Sequence, residues 1–174
     1  LPIKENYHRR RQDKEVTILP FFEKKVAMLY YWPGMQPDAL DSLIDNGYKG
    51  IIIVGTGLGH VNKDLYPAIK RAQEKNIPIF MTLQTLWGFV HMFVYDTGRD
   101  LMAMGIIPLA NMLPEVAWVK LSWVLGQTTD YDKVKEMMLD SINDEITERE
   151  PYNGYLVYQG GIPEVENFIK RVHK

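Results

Sequence analysis

The sequence contains no cysteine among its 174 residues, which excludes disulfide cross-links and thiolate metal sites. It also lacks an apolar run of the roughly 20 residues that a membrane-spanning helix requires, and no signal-peptide pattern opens it. Charge of neither sign dominates, because 20 basic and 22 acidic residues leave a net charge of −2. We therefore expect no membrane partner, and the composition gives no general reason to expect a nucleic-acid-binding surface.

The sequence is equally short of recognisable catalytic and metal-binding motifs. It has no G-x-S-x-G nucleophile elbow, and the Lys-Ser or Lys-Thr pair of a P-loop is absent. The four histidines are scattered without the spacing of metal ligands. We accordingly predict no metal, no cofactor and no catalytic nucleophile within this chain.

What the sequence does contain is the pattern of an α/β domain. Hydrophobic residues make up 46% of the chain and charged residues 24%, a balance that can fill one core. Three short apolar runs, at 25–31, 50–54 and 77–81, predict buried parallel strands. Amphipathic helices are predicted between them, one ending at Gly47 and one capped by Asp64. This βαβαβ order has few possible topologies, because its crossovers are almost always right-handed.

Further elements are predicted towards the C-terminus. The apolar spacing predicts a helix over 114–126 and a second over 130–146, the latter capped by Asp130. Residues 155–158 predict a strand, and Pro163 opens a last amphipathic helix. The apolar face of that helix comprises Val165, Phe168, Ile169 and Val172.

A glycine-rich loop, G-T-G-L-G-H at residues 55–60, follows the second predicted strand. In an open parallel sheet ligands bind beyond the carboxyl ends of the strands, so this loop lies at the mouth of any pocket there. A dinucleotide fingerprint needs G-x-G-x-x-G and an acidic residue about 20 positions later, and both are missing. The pattern therefore favours the floor of a small-molecule pocket over a phosphate-binding loop. His60 either contacts the ligand or stabilises the loop through hydrogen bonds.

Five ordered motifs resemble the C-terminal domain of the asparaginase-like amidohydrolases. They are YWPGMQPDAL (31–40), GYKGIIIVGTGLGHV (47–61), PAIKRA (67–72), VYDTGRDL (94–101) and MLPEVAWVKL (112–121). Within that family the chain most resembles the branch that supplies the D subunit of archaeal glutamyl-tRNA(Gln) amidotransferases, as does its ending ITEREPYNGY (146–155). The resemblance implies an α/β fold of three layers, with a central, mainly parallel sheet of about four strands flanked by helices.

The resemblance also implies an amidohydrolase whose nucleophilic threonine lies in an N-terminal domain, within a T-G-G-T-type motif. This chain lacks that motif and begins with Leu1, so we expect that a catalytic domain is missing and that the chain alone is inactive. Residues 1–24 would be a linker or the end of the missing domain. Residues 25–150 would form the asparaginase-like domain, and 151–174 a C-terminal strand and helix extension.

The same resemblance assigns a substrate-binding role to the glycine loop. Asparaginases commonly place an asparagine at the end of this loop, where it reaches the amino acid bound by a neighbouring protomer; His60 occupies that position here. The implied substrate-binding residues are His60, Gly59, Gly57 and Tyr95. The implied partners are a second copy in a homodimer and a small amide substrate, Gln or Asn.

Three functions are compatible with the sequence. The first is the C-terminal part of a cytoplasmic glutaminase subunit that releases ammonia for the amidation of Glu-tRNA(Gln), working with a tRNA-binding amidotransferase subunit. The second is the C-terminal domain of a free cytoplasmic L-asparaginase. The third, from another class, is a stand-alone ligand-sensing or interaction module that keeps the fold without the chemistry.

Overall fold

A computed structural model describes residues 15–149 and has an α/β architecture, which confirms the predicted fold class. A four-stranded parallel sheet has the order β1-β2-β3-β4. The strands are β1 (Val26–Tyr30), β2 (Gly50–Gly55), β3 (Ile79–Leu83) and β4 (Ile107–Pro108). The helices are α1 (Asp38–Asp45), α2 (Tyr66–Glu74), α3 (Asp96–Ala103), α4 (Pro114–Gln127) and α5 (Tyr131–Leu139).

Two hydrophobic cores lie on opposite faces of the sheet. Successive side chains of a strand point to opposite faces, and β2 is buried on both. Ile51 and Ile53 pack with buried residues of α1, α2 and α3. Ile52 and Val54 pack with buried residues of α4 and α5. The continuous apolar run of β2 is therefore explained by a three-layer arrangement of helices, sheet and helices.

The connections between strands determine where a site can form. Each strand pairs in parallel with the next strand in the chain, and the three connecting helices contribute to the same core. Crossovers of a single hand place connecting helices on one face in this way. All the carboxyl ends of the strands meet at one edge, so the loops that follow β1, β2 and β3 are neighbours.

Several predicted helix ends are confirmed. Gly47 has a φ of +73°, and the N–H groups of Gly47 and Tyr48 donate to the carbonyls of Ile44 and Leu43, which is the Schellman pattern at the end of α1. The Asp130 carboxylate accepts from the N–H of Lys133 at 3.1 Å, as expected of the cap of α5.

Three predicted boundaries were wrong. Asp64 does not cap α2; it lies within a 3₁₀ turn, Lys63–Leu65, and accepts from the Asn62 amide at 2.7 Å. Gly126 does not end α4; a Cβ there would collide with the Phe21 carbonyl oxygen, so the glycine lets an extended segment cross the helix. The helix predicted over 130–146 ends at Leu139, where the chain turns back towards α4.

Two elements were not predicted. Helix α3 was missed because Gly98 interrupts its pattern; a Cβ at Gly98 would collide with the Met92 carbonyl oxygen. Strand β4 is two residues long and includes Pro108, so it has no strand signal. The strand predicted at 155–158 and the helix predicted from Pro163 lie outside the described residues.

Candidate functional site

The glycine loop doubles back on itself in a tight turn. The N–H of Thr56 donates to the carbonyl of His60 at 3.1 Å, and the N–H groups of Gly59 and His60 both donate to the carbonyl of Thr56 at 3.0 Å. Gly57 and Gly59 have φ angles of +57° and +97°, in the region that side chains with a Cβ disfavour. Three backbone N–H groups are thus used within the turn, which disfavours the phosphate-binding interpretation.

The two positive-φ glycines face different surroundings. A Cβ at Gly59 would lie 2.9 to 3.3 Å from side-chain carbons of Val90, Met81 and Met92, so the turn rests directly on the core. Gly57 has no atom within 4 Å of the corresponding position and forms the open tip of the loop. The loop therefore has a fixed base and an accessible tip.

His60 is held by the beginning of helix α3. Its Nδ1 lies 3.2 Å from the hydroxyl oxygen of Thr97, and its ring meets the ring of Tyr95 edge-on at a centroid distance of 5.3 Å. Its Nε2 is buried and has no hydrogen-bond partner within residues 15–149. A buried polar atom without a partner is uncommon and marks a position that a water or a ligand group can satisfy.

The surroundings of His60 favour its neutral form. Burial lowers the pKa of His60, and the nearby carboxylate of Asp96 opposes this in part. The folded state thus prefers the uncharged imidazole, whose contribution to stability is complete above about pH 6.5 and declines as the pH falls below that value. At neutral pH the ring offers one nitrogen as donor and the other as acceptor.

Polar and charged side chains lie beside His60 at the beginning of α3. Burial, followed by the charge and hydrogen bond of Asp100, raises the pKa of Tyr66 to about 12; the two side chains are 3.3 Å apart. The exposed ammonium of Lys63 lies 3.8 Å from Asp96 and 3.9 Å from Asp100. One ammonium group therefore faces two carboxylates at this end of α3.

Gln84 ties the loops at the carboxyl edge together. Its amide donates to the carbonyls of Val54 and Tyr31, and its backbone N–H donates to the carbonyl of Gly55 at 3.1 Å. The N–H of His91 donates to the carbonyl of Leu58 at 3.0 Å, which links the loop after β3 to the glycine loop. The site is consequently built on a rigid edge.

The same edge exposes large apolar side chains. Trp32 is 54% exposed, Leu86 74%, Phe93 62% and Tyr95 56%. They come from the loops after β1 and β3, on either side of the glycine loop, and we call this set the carboxyl rim. Exposed apolar groups clustered beside a site are typical of a surface that another polypeptide covers.

The structure brings the four predicted site residues into one region. His60 and Tyr95 are in contact, and Gly57 and Gly59 shape the turn that presents His60. Sequence reasoning missed Thr97 and the linking role of Gln84. Both could have been found by position, since Thr97 lies within VYDTGRDL and Gln84 follows β3 at the same edge.

Two kinds of feature are absent from residues 15–149. No helix in this part of the chain is long and apolar enough to cross a membrane. No three histidine, aspartate or glutamate side chains in it are grouped as metal ligands would be.

Comparison with known proteins identifies clear relatives. The chain is 46% identical over 149 residues to the D subunit of glutamyl-tRNA(Gln) amidotransferase from Pyrococcus abyssi, covering 86% of this chain and 34% of that protein. It is 49% identical over 148 residues to the protein of the same name from Thermococcus kodakarensis, covering 85% and 33%. We call these two proteins the amidotransferase relatives. The chain spans about a third of the length of the curated relatives it matches.

Solved structures and a family model agree with these relatives. The L-asparaginase of Thermococcus kodakarensis superposes with a TM-score of 0.73 at 29% identity, covering 82% of this chain and 44% of that one. L-asparaginase I of Vibrio cholerae superposes with a TM-score of 0.71 at 27% identity, covering 78% and 41%. The model of the glutaminase/asparaginase C-terminal domain matches residues 25–138. This chain therefore belongs to the glutaminase/asparaginase C-terminal domain family.

Proposed function

We propose that this chain is the C-terminal part of an ammonia-releasing glutaminase subunit that serves the conversion of Glu-tRNA(Gln) to Gln-tRNA(Gln) in the cytoplasm. The observation that carries the proposal is the carboxyl rim beside His60, an exposed apolar edge next to an unsatisfied buried nitrogen. The amidotransferase relatives, at 46% and 49% identity, supply the reaction. The sequence has no T-G-G-T motif, so the nucleophile belongs to a separate N-terminal domain.

In this proposal the domain closes one side of an amide-binding cleft. Residues 1–24 connect to the catalytic domain, 25–150 form the asparaginase-like domain, and 151–174 extend it. A second copy of the protein places the rim against a neighbouring catalytic domain in a homodimer. A tRNA-binding amidotransferase subunit then receives the ammonia.

In this proposal the site residues have distinct parts in binding. Tyr95 is more than half exposed and meets an incoming ligand first, whereas the Nε2 of His60 lies beneath the surface. A substrate that reaches Nε2 must displace the side chains that cover this atom. Gly57 leaves open space at the loop tip, and Gly59 holds the turn against the core. Since the ring is neutral, His60 binds the substrate through a hydrogen bond.

A free L-asparaginase is the second candidate, and the superpositions on two L-asparaginases favour it. The identity to these structures is 29% and 27%, lower than the identity to the amidotransferase relatives. The two candidates differ in the reaction they support. An asparaginase acts without tRNA, whereas the amidotransferase passes ammonia to a tRNA-bound glutamyl group.

The test is a domain exchange. This chain replaces the matching region of the Thermococcus kodakarensis amidotransferase relative, and ammonia release from glutamine and from asparagine is measured with and without the partner subunit and Glu-tRNA(Gln). We expect the chimera to hydrolyse glutamine and to form Gln-tRNA(Gln), whereas the chain alone and the relative without this region do not. Hydrolysis by the isolated chain, or a folded chimera without activity, would contradict the proposal. Asparagine hydrolysis with no tRNA product would favour the second candidate.

A further inference from the structure

Helix α4 is apolar on two sides, although the sheet covers only one of them. Ala117, Leu121 and Val124 are fully buried against the sheet. On the opposite side, Val116 is 37% exposed and Val119 49% exposed. A helix that is apolar all round is normally buried all round, because each exposed apolar face loses the free energy of burial. Within the described residues the outer side of α4 lacks a covering layer.

The outer side of α4 forms the floor of a groove with a volume of about 640 Å³. Phe22 contributes one wall and Ile142 the other, and they are 53% and 52% exposed. Val116, Val119 and Trp123 line the helix side of this groove, which we call the α4 groove.

Both walls of the α4 groove are anchored to the domain. The indole N–H of Trp123 donates to the carbonyl of Leu19 at 3.1 Å, and the N–H of Glu23 donates to the carbonyl of Ser122 at 2.8 Å. On the other side, the ammonium of Lys120 lies 2.6 Å from the carboxylate of Glu145; the Lys120 side chain is buried and that of Glu145 is mostly covered. The groove is therefore a formed surface rather than a gap beside loose chain.

We propose that the α4 groove binds the C-terminal segment of this same chain, residues 163–172. These residues lie outside the described part, and their sequence predicts an amphipathic helix. The apolar face of this helix comprises Val165, Phe168, Ile169 and Val172. This docking would occur whether or not the chain serves the proposed function.

The path of the chain and its charges support this occupant. The described residues end at Arg149, four positions after Glu145, a lining residue of the groove. Residues 150–162 then provide a tether that can span about 40 Å when extended. The segment has no net charge, with Glu164 and Glu166 towards its start and Lys170 and Arg171 towards its end, and this basic end can pair with Glu115 on the rim of the groove. A tethered helix has an effective concentration in the millimolar range, which favours it over a second copy at micromolar concentration.

A disulfide test uses the cysteine-free background. The pair Val119→Cys and Ile169→Cys is introduced into the 174-residue chain, and the control pair is Ser42→Cys, exposed on α1 across the sheet, with Ile169→Cys. At micromolar protein concentration we expect an intramolecular disulfide to form at least about tenfold faster in the first pair than in the control. Equal rates, or intermolecular disulfides alone, would overturn the proposal, the latter in favour of a second copy.

Hydrogen exchange provides a test without cysteines. In the unmodified chain we expect the amides of residues 163–172 to exchange at least about tenfold more slowly than in a free peptide of the same sequence. Val119→Glu places a charge in the groove and should remove this protection, whereas Lys133→Glu on the exposed side of α5 should not. Circular dichroism confirms that each variant is folded. Exchange of 163–172 at the rate of the free peptide in the unmodified chain would contradict the proposal.

Discussion

His60 shows how one residue depends on its neighbours for its chemical form. The hydroxyl of Thr97 fixes the orientation of the ring through Nδ1, and the ring of Tyr95 lies against its edge. Burial lowers the pKa of His60, so the imidazole remains neutral under physiological conditions. A neutral ring with one nitrogen engaged leaves Nε2 as the only ring atom able to form another hydrogen bond.

We predict that His60→Ala in the full-length protein raises the KM for the amide substrate about tenfold with little change in kcat. The substitution removes one ground-state hydrogen bond, worth about 1.4 kcal/mol, and leaves the nucleophile untouched. His60→Asn should stay within about threefold of the unmodified protein, since an amide can form the same bond. Steady-state kinetics on glutamine measures both variants. An unchanged KM in His60→Ala would assign His60 to loop stability alone.

The glycine loop is the element on which the placement of His60 depends. Its base rests on Met81, Val90 and Met92, and its tip faces open space. Gly57 and Gly59 share a positive φ, so replacing either one adds backbone strain. Only at Gly59 would a side chain also collide with the core. A comparison of the two positions therefore separates backbone strain from overpacking of the core.

We predict that Gly59→Ala lowers the free energy of unfolding by about 3 kcal/mol and Gly57→Ala by about 1 kcal/mol. A left-handed backbone costs an alanine about 1 to 2 kcal/mol, and overpacking at Gly59 adds about 1 to 3 kcal/mol. Urea unfolding of the isolated chain measures both values, with Gly57→Ala as the matched control. Equal losses of stability in the two variants would show that the core side chains move to accommodate the added methyl group at Gly59.

The segment after α5 is held by a second kind of contact, a buried ion pair. Burial alone would raise the pKa of Glu145, but hydrogen bonds from Lys120 and from the backbone of Asn143 and Ile142 outweigh it and lower the pKa to about 2. The carboxylate therefore stabilises the fold fully above its ordinary value of 4.5, and this contribution is lost as the pH falls towards 2.

We predict that Glu145→Ala lowers the free energy of unfolding by about 3 kcal/mol at pH 7, because it leaves the buried ammonium of Lys120 without its charge partner. The double variant Lys120→Met, Glu145→Leu should lose less, about 1 kcal/mol, since no charge is left buried. Urea unfolding at pH 7, 4.5 and 2.5 measures the difference. The free energy of unfolding of the unmodified protein should fall relative to that of the double variant as the pH falls, because only the unmodified protein loses the contribution of the Glu145 carboxylate. A difference in free energy of unfolding that does not change with pH would contradict the role of Glu145.

How far the sequence predicts an element depends on whether its signal is local. The apolar runs of β1, β2 and β3 and the cap of α5 by Asp130 are local, and the structure confirms them. Gly126 has the local appearance of a helix end, yet it serves the crossing of Phe21, about a hundred positions away in the chain. Helix α3 depends on tertiary packing around Gly98 in the same way.

In the candidate site, too, some features can be predicted from local sequence and others depend on tertiary packing. The strand order places the glycine loop, with Gly57, Gly59 and His60, at the carboxyl edge of the sheet, and the resemblance adds Tyr95 and the substrate-binding role of the set. The contact between His60 and Thr97 joins residues 37 positions apart and requires the docking of α3. Thr97 lies within a motif that the sequence displays, but no periodicity or spacing encodes its contact with His60, which appears only in the folded structure.

At the scale of the whole molecule, the carboxyl rim consists of exposed apolar side chains, to which the proposed function gives a part in assembly. Trp32 and Leu86 are each about half exposed or more, so they contribute little to the core. If the rim docks against a catalytic domain, these side chains become buried only in the assembled protein.

We predict that the double substitution Trp32→Ser, Leu86→Ser changes the free energy of unfolding of this chain by less than about 0.5 kcal/mol. The same pair in the full-length protein or the chimera should reduce glutamine hydrolysis at least about tenfold, since two apolar contacts of a docking surface are lost. Thermal unfolding of the chain and ammonia release by the chimera are the two measurements. The control pair is Lys70→Ser and Lys133→Ser, at exposed positions of α2 and α5. It should change neither the stability of the chain nor the glutamine hydrolysis of the chimera. Full activity with the rim altered would place the docking surface elsewhere.

The bracing of the loops by Gln84 has a consequence for recognition. Since the amide of Gln84 already joins the ends of β1 and β2 to the loop after β3, a catalytic domain that docks here as proposed would meet a surface whose shape exists before contact. Little conformational entropy then remains to be lost at the moment of association, and a larger share of the contact free energy appears as affinity. In the proposed assembly, a single glutamine would thereby influence how tightly two polypeptides join.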